Sequence, residues 1–201
     1  MKKLFAALCC FVIFGAVIRA QNTDDYKKRE FFVGYSIVGL DTGGSDRQGL
    51  NGFEVSGVYN FSRYFGIKGD VSVGFDRSRF GVVVPPSNTV TFDSHQRLLN
   101  FLGGVQIKDN SNKGRFKPFA HALIGVGQNR TRNDNFQCTG SCTGFSPSSV
   151  SKTGLAGAFG GGLDIRVNDR IQVRLIQIDY NPVKDIFQTQ NNVRLSAGIV
   201  F

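Results

Sequence analysis

Three groups of residues in this sequence have types and spacings that could do chemistry. The first is Asp93-Ser94-His95, which supplies an acid, a hydroxyl and a base in one run. Successive residues of an extended strand point to opposite faces, so Ser94 and His95 are badly placed to hydrogen-bond to each other. A catalytic site also needs a base and an orienting group held in place, and no such set is evident. The other histidine is His121, and the two have no metal-like spacing. Beyond the first twenty residues the cysteines are Cys138 and Cys142, two ligands short of a structural zinc site. No catalytic residue, metal or cofactor is therefore expected. The run Cys138-Thr-Gly-Ser-Cys142 reads as a local disulfide.

The second group is a set of charged and amide side chains: Glu54, Lys68, Asp70, His121, Asp164, Arg166, Arg174, Gln177, Asp179 and Arg194. They recur on alternate residues, so they share a face. Charges withdrawn from water need partners, and this group reads as a polar network. Pairing Val167 with Ile171 across Asn168–Arg170 sets Asp164 opposite Arg174. Val173 and Leu175 then face the apolar side, yet Gln177 and Asp179 have the same parity. A bulge near Ile176 would return both to the polar face and bring Asp179 toward Arg194.

The third group is basic and aromatic residues lying between alternating stretches. One cluster holds Arg77, Arg79, Val82-Val83-Val84, Pro85-Pro86 and Phe92; another holds Arg130, Arg132, Phe136 and Phe145. These read as exposed loops able to bind partners or surfaces. Arg77, Arg79, Arg97 and Arg130 suit the phosphates of a lipid surface. Gly103-Gly104 and Gly160-Gly161-Gly162 precede no helix, so they read as room for large neighbours and not as a phosphate cradle.

The elements that must position these groups are strands. In Phe65–Phe75, residues Phe65, Ile67, Val71, Val73 and Phe75 share one face, and Lys68, Asp70 and Ser72 the other. The same alternation places strands at 30–40, 50–61, 65–75, 96–108, 117–128, 155–167, 170–180 and 191–201. Connectors after the second, fourth and sixth strands are short. Those after the first, third, fifth and seventh are longer, with 129–154 the longest. That segregation, and opposite charges able to pair on the polar face, favour a transmembrane barrel over a soluble one with its apolar face inward. A closed sheet pairs every backbone group in lipid, and eight strands leave an interior that side chains can fill. Tyr59, Phe61, Phe65, Phe75, Tyr180 and Phe201 are placed to form aromatic girdles.

Composition agrees. There are 25 glycines and 19 phenylalanines, no tryptophan, and 41% hydrophobic residues, too few for a helical membrane protein. Lys2 and Lys3 precede the uncharged run Leu4–Ile18, which is shorter than the ~20 residues of a spanning helix. Residues 1–20 therefore read as a secretory signal peptide cleaved after Ala20. Residues 21–29 read as a short periplasmic segment and 30–201 as the barrel domain. Without the signal the net charge falls from +9 to near +6. An exported chain without basic clusters is not expected to bind nucleic acid.

The final stretch Val193-Arg-Leu195-Ser-Ala197-Gly-Ile199-Val-Phe201 has a terminal aromatic preceded by apolar residues at alternate positions. It resembles the recognition signal of bacterial outer-membrane proteins, with Ile199 where Tyr is usual. The chain as a whole resembles the small OmpA/OmpX-type barrels. Arg174–Tyr180 followed by Asn192–Phe201 resembles the closing hairpin of the outer membrane protein β-barrel domain family. The resemblance implies an all-β, eight-stranded antiparallel barrel in the cell outer membrane of a Gram-negative bacterium. It also implies delivery by the barrel-assembly machinery, which would read Leu195, Ala197, Ile199 and Phe201. Outer-membrane lipid and lipopolysaccharide are the expected surroundings. Fold analogy supplies no activity. A structural or surface-contact role through extracellular loops, with an unidentified surface ligand, is the first expectation. A narrow porin-like channel is the second, and a lipid-modifying enzyme a distant third.

Overall fold

The computed structural model describes residues 26–41, 43, 47–84, 88–111, 114–140, 146–184 and 189–201. The expected signal peptide and cleavage site, Pro85-Pro86, Cys142 and Phe145 lie outside them. Eight strands form an antiparallel closed barrel in sequence order: β1 Arg29–Asp41, β2 Arg47–Asn60, β3 Phe65–Val84, β4 Asn88–Lys108, β5 Phe116–Cys138, β6 Ser148–Arg166, β7 Gln172–Lys184 and β8 Thr189–Val200. Strand β8 closes on β1 over Phe32↔Val200 to Gly39↔Val193.

Burial decides which face is which. Phe53, Ile67 and Ile124 on the outer face are 58–60% exposed, while Arg174 and Arg194 inside are 1% and 0%. A soluble barrel would show the reverse. The outer apolar belt runs from Phe31, Tyr59, Phe65, Ile107 and Phe201 at one rim to Ile37, Phe75 and Tyr180 near the other. The girdle hydroxyls are anchored: Tyr35 donates to Asn51 Oδ1 and Tyr180 to Asn191 Oδ1, each at 2.6 Å.

Tight turns gather at the rim that carries both strand termini, the periplasmic side in such barrels. In the β6–β7 turn Asn168 Oδ1 accepts from the backbone N–H groups of Arg170 and Ile171, at 2.9 and 2.8 Å. In the β2–β3 turn Ser62 Oγ does the same for Phe65, at 3.0 Å. Such local side-chain acceptors fix a turn without further backbone pairing.

The opposite rim corrects the sequence reading. Most of what reads there as long loop is strand. β3, β4, β5 and β6 have 20, 21, 23 and 19 residues, against 12–14 in the other four. Pairing continues to Val84↔Asn88 at the β3–β4 tip and to Asn133↔Ser148 between β5 and β6. Crossing the bilayer takes ~9–11 residues per strand, so these four continue well beyond it as a sheet. Above the belt they carry Arg, Asn, Ser and Thr on both faces, which erases the apolar alternation that marks a strand in lipid. The asymmetry between the two rims lies in strand length, not connector length.

Candidate functional site

Two assemblies deserve description, one inside the barrel and one on the outer extension. Inside, the inward positions of all eight strands converge on a buried ion network. Near the periplasmic end, Lys108 Nζ lies 2.9 Å from Glu30 Oε2, 2.8 Å from Asp164 Oδ2 and 2.9 Å from Gln172 Oε1. Arg174 faces Asp164 across the β6–β7 hairpin and donates to both its oxygens, at 2.8 and 3.2 Å. The guanidinium sits between two aromatic rings, 4.3 Å from the Phe32 centroid and 4.1 Å from that of Phe119. Gly162 lets β7 and Phe119 approach closely, since a Cβ there would collide with the Ile176 carbonyl oxygen and lie 2.9 Å from Phe119 Cζ.

Deeper in, Arg194 is the hub. It donates to Asp179 Oδ2 at 2.7 and 2.9 Å and to Asp70 and Ser72 at 2.9 Å, with Glu54 at 3.6 Å. Gln177 joins the two halves: it accepts from Arg174 at 2.6 Å and donates to Glu54 and Asp179, at 2.9 and 2.7 Å. The register shifts between Arg174 and Gln177, so Leu175 and Ile176 both face lipid while Gln177 and Asp179 turn inward. Lys68 lies 3.8 Å from both Glu54 and Asp70, and His121 spans Lys68 and Asp179 at 3.4 and 2.9 Å. Arg166 lies at the periplasmic mouth, with Asp169 at 2.8 Å.

Above the charges the lumen turns apolar. Val38, Leu40, Leu50, Leu98, Leu102, Leu123, Ala156, Ala158 and Val183 form one buried cluster. In every strand that contributes, they lie on the extracellular side of the charged residues. Among the described residues the interior is thus a charged layer beneath an apolar cluster, with buried Asn100, Asn181 and Asn192 set among its aliphatic side chains.

Sequence spacing led to Asp164, Arg174, Gln177, Asp179 and Arg194, because hairpin neighbours share a short stretch of chain. It missed Glu30 as partner to Lys108, two residues far apart in sequence that only barrel closure brings together. It also missed the apolar cap, whose leucines share parity with polar residues such as Asn100.

The outer assembly lies on the extension. Ser94 is buried and His95 is on the opposite face, where Nε2 lies 3.3 Å from Asp134 Oδ1. The pair is not a nucleophile and its base. Asp93 accepts from Arg77 at 2.9 Å, Arg79 at 2.8 Å and Asn135 at 2.9 Å. Asn135 adopts a φ of 55°, next to a register shift between Thr91 and Asp93. Hydrogen bonds from Arg79, Asn135 and Arg77 hold the Asp93 carboxyl below the usual carboxylate range. Asp93, His95 and Asp134 come close enough together to suggest a metal site. Their oxygens are already engaged by arginines and His95, so the cluster is explained by ion pairing. Cys138 ends β5 and is disulfide-bonded. Phe80, Phe92 and Phe136 stack at the tip, with centroids 5.7 and 5.3 Å apart.

Comparison with known proteins follows the same lines. The family described as outer membrane protein beta-barrel domain matches residues 6–201. No curated protein matches the sequence. Among solved structures, Ail, the attachment invasion locus protein of Yersinia pestis, in complex with the heparin analogue sucrose octasulfate, is similar with a TM-score of 0.55 and 19% identity. That alignment covers 86% of this chain and 97% of the other. Neisserial surface protein A aligns with a TM-score of 0.47 and 14% identity over 88% and 98% of the two chains. The N-terminal barrel of Pseudomonas aeruginosa OprF aligns with 0.44 and 11% over 88% and 99%.

Proposed function

Since the chain belongs to the outer membrane protein β-barrel domain family, and so resides in the cell outer membrane, we propose that it acts by surface contact and not by transport. The single observation that carries this is the tip of the β3–β6 extension. There, in water beyond the apolar belt, Phe80, Val82 and Val83 are 44%, 49% and 71% exposed beside the Phe80–Phe92–Phe136 stack. Apolar groups held out on a rigid sheet, away from lipid, mark a contact surface. The attachment name of the Yersinia pestis protein points the same way. The side chains that fill the lumen support the reading. Catalysis finds no support in the separated Ser94 and His95.

Within this reading, outer-membrane lipid and lipopolysaccharide surround the barrel, and Leu195, Ala197, Ile199 and Phe201 on the lipid face of the last strand suit the barrel-assembly machinery. The disulfide of Cys138 staples the end of β5 near the tip, and Cys142 is its proposed partner. Bacteria displaying the protein on their surface test the proposal. They are expected to be retained on a hydrophobic surface, and those carrying Phe80→Ser, Phe92→Ser and Phe136→Ser together to be washed off. Equal retention of the two would contradict a contact role for the tip.

A further inference from the structure

Five arginines stand on the outward face of the extension: Arg77, Arg79, Arg97, Arg130 and Arg132. Asp93 and Asp134 are the acids that face them. Arg77 and Arg79 are taken up by Asp93, and Arg132 by Asp134 at 3.0 Å. Arg97 and Arg130 are different. The β4–β5 register sets them directly opposite each other on one face. Like charges so placed repel. Among the described residues no carboxylate pairs with either. Arg97 reaches only Gln128 Oε1 at 3.5 Å, Arg130 only Ser149 Oγ at 3.4 Å, and Arg97 Nε is buried with no hydrogen-bond partner.

Their height on the barrel says what would resolve the repulsion. Phe75 pairs with Arg97, and Phe75 ends the continuous apolar run on the outer face of β3, with Arg77 and Arg79 next on that face. One row further out, Arg77 and Arg132 flank His95. These residues line an open groove of about 400 Å³ together with Asn51, Phe75, Gln96 and Asp76, whose carboxylate accepts from Gln48 and Ser78 at 2.5 and 2.7 Å. Phe75 belongs to the lipid-facing belt, so the arginines beside it lie at the height expected of outer-leaflet headgroups. Two guanidiniums with free donors, in line above an apolar belt, suit an anion that takes paired N–H bonds.

We infer that Arg97 and Arg130 clamp a phosphate of the phosphorylated glycolipid of the outer leaflet, with Arg77 and Arg132 flanking it. This shares with the functional reading only the placement of the extension outside the cell; it does not involve the tip.

The test uses the barrel refolded in phosphatidylcholine bicelles, purified lipopolysaccharide as probe, and heat-dependent gel mobility to confirm that each variant folds. R97Q/R130Q is expected to bind lipopolysaccharide about tenfold or more weakly than wild type, and R97K/R130K to recover only part of that loss, because lysine keeps the charge without the paired N–H fork. Phosphate-stripped lipopolysaccharide is expected to bind wild type as weakly as intact lipopolysaccharide binds R97Q/R130Q. The melting midpoint adds a sign change. Without lipopolysaccharide R97Q/R130Q should melt no lower than wild type, because repulsion has been removed. With it, wild type should gain more. Equal lipopolysaccharide affinity of wild type and R97Q/R130Q would overturn the inference. So would undiminished binding of the phosphate-stripped form, or displacement by heparin or inorganic phosphate at matched concentration, which would mark a general site for soluble anions. The Phe80/Phe92/Phe136 variant should bind lipopolysaccharide as wild type does, so failure here and failure of the tip reading are separable.

Discussion

The barrel handles charge in two opposite ways. In the lumen, Glu30, Glu54, Asp70, Asp164 and Asp179 face Lys68, Lys108, Arg174, Arg194 and His121, all of them buried and joined in ion pairs. On the outer extension, arginines outnumber acids, and two of them oppose each other with no acid between. The difference follows from where each set can find partners. A charge sealed in the lumen must be matched by the chain itself, because desolvation is otherwise uncompensated. A charge at the membrane surface can be matched from outside. The lumen network is therefore read as architecture and the outer face as the place where the molecule meets something else.

The comparison can be broken at its strongest point first. Arg194→Ala leaves Glu54, Asp70 and Asp179 without their hub, and removal of one partner from a buried ion network costs about 3–5 kcal/mol. Urea unfolding of the barrel in lipid vesicles should show that loss, with Arg194→Lys recovering part of it. Asp164→Asn should cost less, about 1.5–3 kcal/mol, because Lys108 keeps Glu30 and Arg174 keeps its two rings and Gln177. On the outer face the sign should reverse: Arg97→Gln in lipid free of lipopolysaccharide should stabilise the barrel by about 0.2–1 kcal/mol through lost repulsion.

Smallest should be the exposed Arg63–Asp109 pair that ties two periplasmic turns at 3.1 Å, where Asp109→Asn should cost under about 1 kcal/mol in the same assay. Its hydrogen bond to Arg63 holds the Asp109 carboxyl below the usual range. A depressed carboxylate contributes above its unfolded pKa, near 4 by ordinary values, and the contribution is lost as pH falls through the lower folded value. The gap between wild type and Asp109→Asn should accordingly be constant from pH 7 to 5 and close only in stronger acid. A gap that closes between pH 7 and 5 would show that the pair does not depress the carboxyl.

Much of this architecture is legible in the sequence because lipid imposes a strict rule. A strand that must show acyl chains one face alternates cleanly, so the membrane portions of all eight strands can be read from Phe, Ile and Val at every second position. The Asp164–Arg174 contact is legible because a tight turn at Asn168–Arg170 fixes the register. The inward turn of Gln177 and Asp179 is legible because two polar residues would otherwise face lipid. The rule stops at the membrane surface. Arg77, Arg79, Arg130 and Arg132 look like loop residues because, without lipid against the outer face, nothing requires the strand to alternate. Partners joined by closure, such as Glu30 and Lys108, are illegible because parity gives a face but not a neighbour. The apolar cap escapes for a related reason: Leu50, Leu98 and Leu123 occupy inward positions that parity alone assigns to the polar face.

If the lumen is filled by its own side chains, the protein acts through its outer face. Single-channel recording of the refolded barrel in a planar bilayer, with folding confirmed by heat-dependent gel mobility, tests it most directly. The account predicts silence across a wide range of salt and voltage. Steady, salt-dependent conductance steps that change when Arg174 or Asp179 is replaced would contradict it, because the charged layer would then line a path through the barrel.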